Sequence, residues 1–287
     1  MKYGFVLPWG DARTAAGMAL AAEQAGWDGF FVWEPVWGVD AWVSLTAAAM
    51  VTTRIRLGTM LTPLPRIKPW KLASEAAALD NLSGGRVILT VGLGAVHGGW
   101  TAFGEVSDRK TRAELMDEGL DILTGLWAGQ PFRYEGKHYR IQETDFLPPP
   151  PPVQQPRIPI WVVGAWPAAL RTEKSMRRAL RYDGLVPSVV GGESGARQAT
   201  PEEVREIRGY IGSQRTDATP YDIVVEGETP GDDPVAASAI VRPWIEAGAT
   251  WWIEAMWSTM EQPEGAEAVW KRVKQGPPVL ANRLKTS

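Results

Sequence analysis

A glutamate and a histidine are the side chains of this sequence best suited to proton transfer. Glu34 directly follows the apolar run GFFVW, and His97 lies in the glycine-rich run GLGAVHGG. Partial burial at a strand end raises the pKa of a carboxyl group toward the range useful to a general acid. Histidine titrates near neutral pH in ordinary surroundings. A salt-bridged structural glutamate and a solvated loop histidine are the competing interpretations.

Two glycine-containing turns are candidates for ligand binding. Gly92 and Gly94 follow the apolar run VILTV and leave backbone bare, so that a flat ligand can lie against it; a flexible loop is the alternative. The second turn precedes Pro167, where a predicted helix start offers free N–H groups to an anion; a simple tight turn is the alternative. This turn consists of Gly164, Ala165 and Trp166.

The sequence contains 15 tryptophans. Most are expected to pack in the core, because an indole buries a large apolar area. Those at or just beyond predicted strand ends are candidates for the sides of a substrate pocket. They are Trp9, Trp33, Trp37, Trp100 and Trp257.

The elements that must position these residues alternate regularly along the chain. Strands are predicted at 3–7, 29–33, 55–59, 87–91, 158–163, 184–186, 223–226 and 250–254, with helices between them. Near-continuous apolar runs such as VILTV indicate parallel strands buried on both faces. Eight strand–helix units favour an α/β fold of the (β/α)8 barrel type, in which the active site lies at the C-terminal strand ends. An open doubly wound sheet is the alternative, but its dinucleotide fingerprint is absent.

The alternation is interrupted once, after the fourth strand. Residues 95–158 contain a long helix, a hairpin predicted around Glu135 and Gly136, and five consecutive prolines at 148–152. We interpret the prolines as a stiff connector and expect residues 1–287 to form a single domain with 95–158 as an insertion.

Composition excludes several functional classes. The net charge of −3, without a basic tail, argues against nucleic-acid binding. No apolar stretch approaches the roughly 18 residues of a membrane span, which predicts a soluble, cytoplasmic protein without membrane association. With no cysteine and two histidines, no metal site is expected.

Residues 54–94, RIRLGTMLTPLPRIKPWKLASEAAALDNLSGGRVILTVGLG, resemble the luciferase-like flavin-dependent oxidoreductases. The resemblance extends to GWDGFFVWEP before this block and to PVQQPRIPIWVVGAWP after it. It implies a (β/α)8 barrel with an insertion after strand four. It also implies that reduced FMN or the deazaflavin F420 binds over the C-terminal face, for monooxygenation or hydride transfer.

The resemblance also assigns residues. Thr59 and Met60 match the end of strand three, where many members hold a non-prolyl cis peptide behind the isoalloxazine ring. Gly92 and Gly94 match the backbone beside the ring, and the turn from Gly164 to Trp166 matches the phosphate site. Close relatives have an acidic residue followed by histidine after strand two, whereas this sequence has Glu34 and then Pro35. A proton-transferring role therefore falls to Glu34 or His97.

We expect a flavin- or F420-dependent oxidoreductase that acts on a small, partly apolar organic substrate. A separate reductase would supply reduced flavin, and the resemblance implies a homodimer. A glycoside hydrolase that uses two of Glu34, Glu226 and Glu254 is an alternative. A non-catalytic cofactor-binding member of the family is another, because Pro35 replaces the expected histidine.

Overall fold

A closed barrel of eight parallel strands forms the centre of the molecule. The computed structural model describes residues 1–96, 99–144, 150–167, 173–191, 195–216, 219–261 and 264–280. The barrel strands are β1 (Lys2–Leu7), β2 (Gly29–Val32), β3 (Arg56–Thr59), β4 (Val87–Gly92), β5 (Ile160–Trp166), β6 (Gly184–Val190), β7 (Asp222–Gly227) and β8 (Trp251–Glu254). Each pairs in parallel with the next, and β8 pairs with β1. The predicted (β/α)8 barrel is confirmed, and the open sheet is wrong.

Eight helices surround the strands in the described parts of the chain. They are α1 (Ala12–Ala25), α2 (Ala41–Val51), α3 (Pro69–Ser83), α4 (Arg109–Ala128), α5 (Glu173–Leu180), α6 (Pro201–Gln214), α7 (Pro234–Ala247) and α8 (Gly265–Lys274). Three helices begin at an aspartate N-cap: Asp11, Asp40 and Asp108 each accept a hydrogen bond from a first-turn N–H group. Thr200 and Glu203 form a capping box at the start of α6. The predicted start of α5 at Pro167 is followed by residues 168–172, which lie outside the described residues.

The chain between β4 and β5 contains α4 and the predicted hairpin. The hairpin strands, Phe132–Glu135 and Arg140–Thr144, are antiparallel and form a separate two-stranded sheet. Glu118 of α4 accepts hydrogen bonds from the backbone N–H groups of residues 137, 138 and 139 at 2.8 to 3.0 Å. Glu114 of α4 also contacts Lys137 Nζ at 2.7 Å and His138 Nε2 at 2.9 Å, so two carboxylates fix the hairpin against α4.

Aromatic side chains close the barrel at its lower, N-terminal end. Phe31, Trp161 and Trp251 are almost completely buried, and their ring centroids lie 5.1 to 6.0 Å apart. Glycines make room for them: a Cβ on Gly184 would lie 2.4 Å from the Trp161 ring, and one on Gly58 would lie 2.9 Å from Phe31. A ligand can therefore enter the barrel only from the opposite end, which we call the mouth.

Candidate functional site

Glu34 lies at the mouth, two residues after the end of β2. Its Oε2 atom is buried and has no hydrogen-bond partner among the described residues. Burial raises the pKa of Glu34 to about 7; the nearby Thr62 hydroxyl opposes this shift, and the charge of Asp40 adds to it. The Thr62 hydroxyl is itself buried without a hydrogen-bond partner among these residues. The two side chains thus present polar atoms that a bound molecule can satisfy.

The backbone at the end of β4 forms an adjacent surface. The short segment Thr62–Pro63 continues the ladder of β3 and pairs with Val91 and Gly92. A Cβ built on Gly92 would lie 3.0 Å from a methyl group of Leu61 and 3.1 Å from Val163. Leu61 and Val163 therefore pack directly against the backbone of Gly92, and a side chain at this position would have to displace them.

The Met60–Leu61 peptide bond is cis, and the residue after it is not proline. It lies at the end of β3, where the family resemblance implies such a bond. Met60 itself is nearly buried and packs inside the barrel with Val6 and Phe31. Thr59 is fully buried, and its hydroxyl both donates to the Thr90 carbonyl at 3.1 Å and accepts from the Thr90 N–H at 3.3 Å. Thr59 therefore joins two strand ends.

Gly94 and Trp100 belong to the support of the site. Gly94 has φ +77°, and a Cβ on it would lie 2.2 Å from the Trp100 ring. Trp100 is buried, with the guanidinium carbons of Arg66 and Arg112 at 6.0 and 5.5 Å from its ring centroid. Arg112 donates to the carbonyls of residues 93 and 94, and Arg66 to those of residues 35 and 36. The two arginines thereby fix the loops that follow β4 and β2.

The three residues of the predicted phosphate turn, 164–166, are the last residues of strand β5, so their successive side chains point in opposite directions. A Cβ on Gly164 would meet side chains of β6 and α5, so Gly164 faces the helices. Trp166 also faces outward, with its ring centroid 5.6 Å from that of Tyr210 in α6. The Ala165 N–H donates to the Ser175 hydroxyl at 3.0 Å.

Two of the five candidate pocket tryptophans contact each other at the mouth. The rings of Trp33 and Trp257 meet edge to face, with centroids 6.2 Å apart, and the Trp33 indole N–H donates to the Pro8 carbonyl at 2.9 Å. Trp9 is half-buried and packs against the core. Trp37 is 81% exposed, which places it outside this contact. His97, the second proton-transfer candidate, lies outside the described residues.

A second carboxyl group lies at the mouth, at the end of β7. Glu226 Oε1 accepts a hydrogen bond from Gln198 Nε2 at 3.0 Å. Burial raises the pKa of Glu226, and hydrogen bonding from Gln198 and Trp257 lowers it to a smaller extent.

Glu254 has different surroundings, although it also ends a strand. It is fully buried and accepts hydrogen bonds from the Thr229 N–H at 2.6 Å and the Thr229 hydroxyl at 2.7 Å. Arg272 of α8 pairs with it at 3.3 Å. These contacts place Glu254 between the barrel and α8, where it links the two.

Within the described residues, no group of three or more His, Asp or Glu side chains is arranged to hold a metal ion. In that same part of the chain, every helix is too short or too polar to cross a bilayer.

Comparison with known families and curated proteins gives consistent matches. The family model described as "Luciferase-like monooxygenase" matches residues 1–267. A Mycobacterium tuberculosis protein that carries the provisional name coenzyme F420-dependent oxidoreductase is 37% identical over 153 residues, which cover 50% of this chain and 42% of that protein. An F420-dependent glucose-6-phosphate dehydrogenase of Nakamurella multipartita is 29% identical over 205 residues, covering 62% of this chain and 57% of the relative. The chain thus spans about half the length of these relatives.

Solved structures share the fold. The coenzyme F420-dependent tetrahydromethanopterin reductase of Methanopyrus kandleri superimposes with a TM-score of 0.72 at 16% identity, covering 96% of this chain and 97% of that one. The oxygenating constituent of 3,6-diketocamphane monooxygenase from Pseudomonas putida, in complex with FMN, superimposes with a TM-score of 0.62 at 20% identity. That match covers 84% of this chain and 71% of the other. At these identities the likeness shows the fold alone.

Proposed function

Because the chain belongs to the luciferase-like monooxygenase family, we propose that it is an F420-dependent oxidoreductase with Glu34 as its proton-transferring side chain. The observation that carries this proposal is the Glu34 oxygen at the mouth, which is buried without an ordinary hydrogen bond in the described structure. F420 is favoured over FMN because curated relatives at 29 to 37% identity carry F420 in their names. The substrate is a small organic molecule.

The residues at the mouth fit a flat heterocycle. Leu61 and Val163, which pack over the backbone of Gly92, offer an apolar surface. The hydroxyl group of Thr90 is buried and lacks a hydrogen-bond partner in the described structure, so it is available to the polar edge of a ring. When bound, the deazaflavin accepts or donates a hydride. We assign its ring to this surface, but not its phosphate to residues 164–166, because these residues are paired in strand β5 and the Ala165 N–H already donates to Ser175.

Glu34 is suited to move the accompanying proton. With its pKa raised to about 7, both the acid and the carboxylate are populated at neutral pH, which is the condition that favours general acid–base catalysis. In the oxidation of an alcohol, the hydride leaves the carbinol carbon and Glu34 Oε2 takes the hydroxyl proton. In the reverse direction Glu34 returns that proton to the carbonyl oxygen.

FMN-dependent monooxygenation is the second candidate. It is favoured by the description of the family model and by the FMN-bound neighbour. That reaction needs reduced FMN from a separate reductase and a pocket that excludes water. The apolar surface at Gly92 supports this candidate as well.

Equilibrium titration of the protein with F420, FMN and FAD tests the proposal without knowledge of the substrate. We expect F420 to bind at least about tenfold more tightly than FMN, a difference of about 1.4 kcal/mol. Tighter binding of FMN would overturn the F420 assignment in favour of monooxygenation. Failure of all three to bind would overturn both and would leave a barrel without cofactor chemistry.

A further inference from the structure

The side of the mouth formed by the ends of β7 and β8 contains a polar group that the proposed proton transfer does not use. Glu226 ends β7 and accepts the Gln198 hydrogen bond, and Trp257 follows β8 beside it. We propose that Glu226, Gln198 and Trp257 form a recognition subsite for a hydrogen-bond donor of the substrate, such as a hydroxyl group, and that this subsite excludes phosphate esters. The inference rests on the proposed function, since it names the substrate class of the same mouth.

The tryptophan pair connects this subsite with Glu34. Trp33 immediately precedes Glu34, and its ring contacts that of Trp257 edge to face. Trp257 in turn contributes to hydrogen bonding at Glu226. We place the carbon skeleton of the substrate on the two indoles, with Glu226 at its polar end. Indole faces bind apolar carbon well, and carboxylates accept hydrogen bonds from hydroxyl groups.

The charges on this side oppose an anionic substrate. The described parts of the loops after β6, β7 and β8 contain four exposed acidic side chains, Glu228, Asp232, Asp233 and Glu264, and a single basic one, Arg197. Lys271 of α8 pairs with Asp232 at 3.4 Å. Both oxygens of Glu203 accept hydrogen bonds from the Arg197 guanidinium, at 2.7 and 2.8 Å. A phosphate next to Glu226 would bring like charges together where burial weakens solvation, and such an arrangement is unfavourable.

A cationic group is compatible with this side of the mouth. An ammonium group would stabilise the ionised form of Glu34 and lower its pKa, and the ionised carboxylate would in turn favour its binding. The charges therefore select against anionic substrates and not against cationic ones.

A matched set of probes tests this inference: benzyl alcohol, benzylamine and benzyl phosphate share one ring and differ in charge. Dissociation constants are measured by ligand-observed NMR at pH 7, with and without F420. We expect benzyl phosphate to bind at least about tenfold more weakly than benzyl alcohol or benzylamine, because only the phosphate is repelled by the carboxyl groups. Equal affinity for the three probes, including no binding of any, or preference for the phosphate, overturns the inference.

Substitutions of Glu226 test whether this residue causes the difference in affinity between the probes. Glu226→Gln is expected to weaken the binding of benzyl alcohol about tenfold, and Glu226→Lys to reverse the preference between alcohol and phosphate. Glu206→Gln is the matched control, because Glu206 is an exposed acid of α6 that lies outside these loops. An equal effect of Glu206→Gln would overturn the assignment to Glu226. Because cofactor titration is a separate measurement, loss of cofactor binding with the probe preference intact would contradict the proposed function alone.

Discussion

Replacing Glu34 with glutamine is expected to stabilise the protein at alkaline pH while it impairs catalysis. The substitution keeps the shape of the side chain and removes its ionisation. Burial raises the pKa of Glu34 from 4.5 to about 7, so the folded protein binds this proton more tightly than the unfolded chain does. Ionisation of Glu34 therefore opposes folding, and its cost increases as the pH rises from about 4.5 to about 7.

The size of the effect follows from the shift. One pKa unit corresponds to about 1.4 kcal/mol, so the ionised carboxylate costs about 3 kcal/mol of folding free energy at pH 8. At pH 4.5 the cost is below about 1 kcal/mol, because the carboxyl group is still largely protonated in the folded protein. Glu34→Gln should recover most of this difference at pH 8 and little of it at pH 4.5.

Thermal unfolding of the wild type and the variant between pH 4.5 and pH 8 measures this difference. For a chain of this size, about 3 kcal/mol corresponds to a rise in Tm of roughly 5 to 10 °C at pH 8. Glu228→Gln serves as the control, since it removes one exposed negative charge near the same face. A Tm difference that does not grow with pH would refute the assignment of a raised pKa to Glu34.

The same variant tests catalysis. If Glu34 transfers the proton, kcat falls by about 10²-fold or more while the cofactor affinity stays unchanged. A change in KM alone would make Glu34 a hydrogen-bond partner of the substrate. His97 would then be the next residue to replace. A pH-dependent gain in stability together with an unchanged kcat would show that the carboxyl group is buried without taking part in the reaction.

Three further substitutions test the cofactor surface and the barrel that supports it. Gly92→Ala should weaken cofactor binding, and Gly92→Val should weaken it further, by about tenfold or more, because a Cβ at this position would lie 3.0 Å from Leu61. Equilibrium titration measures both effects, and unchanged circular dichroism shows that the variants remain folded. Gly58→Ala should cost about 1 to 3 kcal/mol in denaturant unfolding, since its Cβ would lie 2.4 Å from a carbonyl oxygen of β4; an unchanged midpoint would contradict this packing. Glu254→Gln should cost about 3 to 5 kcal/mol because it leaves Arg272 buried without its charge partner, and an exposed control such as Glu228→Gln should cost little.

The strand positions could be predicted from the sequence because parallel barrel strands are continuous apolar runs. Their ends could not be predicted as well. The strand predicted at 158–163 is observed at Ile160–Trp166, and the one predicted at 184–186 extends to Val190. The extensions arise from pairing between the two strands, where Gly164 lies beside Pro187 and Ala165 beside Ser188. Such pairing is a tertiary effect that leaves no apolar pattern in either segment.

The orientation of side chains at the mouth was harder to predict, for a related reason. A strand buried on both faces lacks the polar–apolar alternation that would show which residues point inward. The sequence therefore places Trp33 and Trp166 equally near strand ends. In the structure Trp33 contacts Trp257, whereas Trp166 packs against Tyr210 of the surrounding helices. Thr62 was not selected from the sequence, because only the two-residue continuation of the β3 ladder brings it beside Glu34.

Glu226 and Glu254 lie near the ends of the neighbouring strands β7 and β8, but they differ by one residue in strand register. This difference separates a residue of the pocket from a structural residue. Glu226 is in register with Ile253, which points into the barrel, whereas Glu254 is in register with Gly227. Alternation along a strand therefore turns Glu226 to the mouth and Glu254 to the helices. The helix side provides the charged Arg272 as a partner for Glu254, whereas the described partners of Glu226 at the mouth, Gln198 and Trp257, are neutral. An acid that has a neutral partner and partial burial keeps the capacity to bind a ligand, which is why Glu226 and not Glu254 is assigned to substrate recognition.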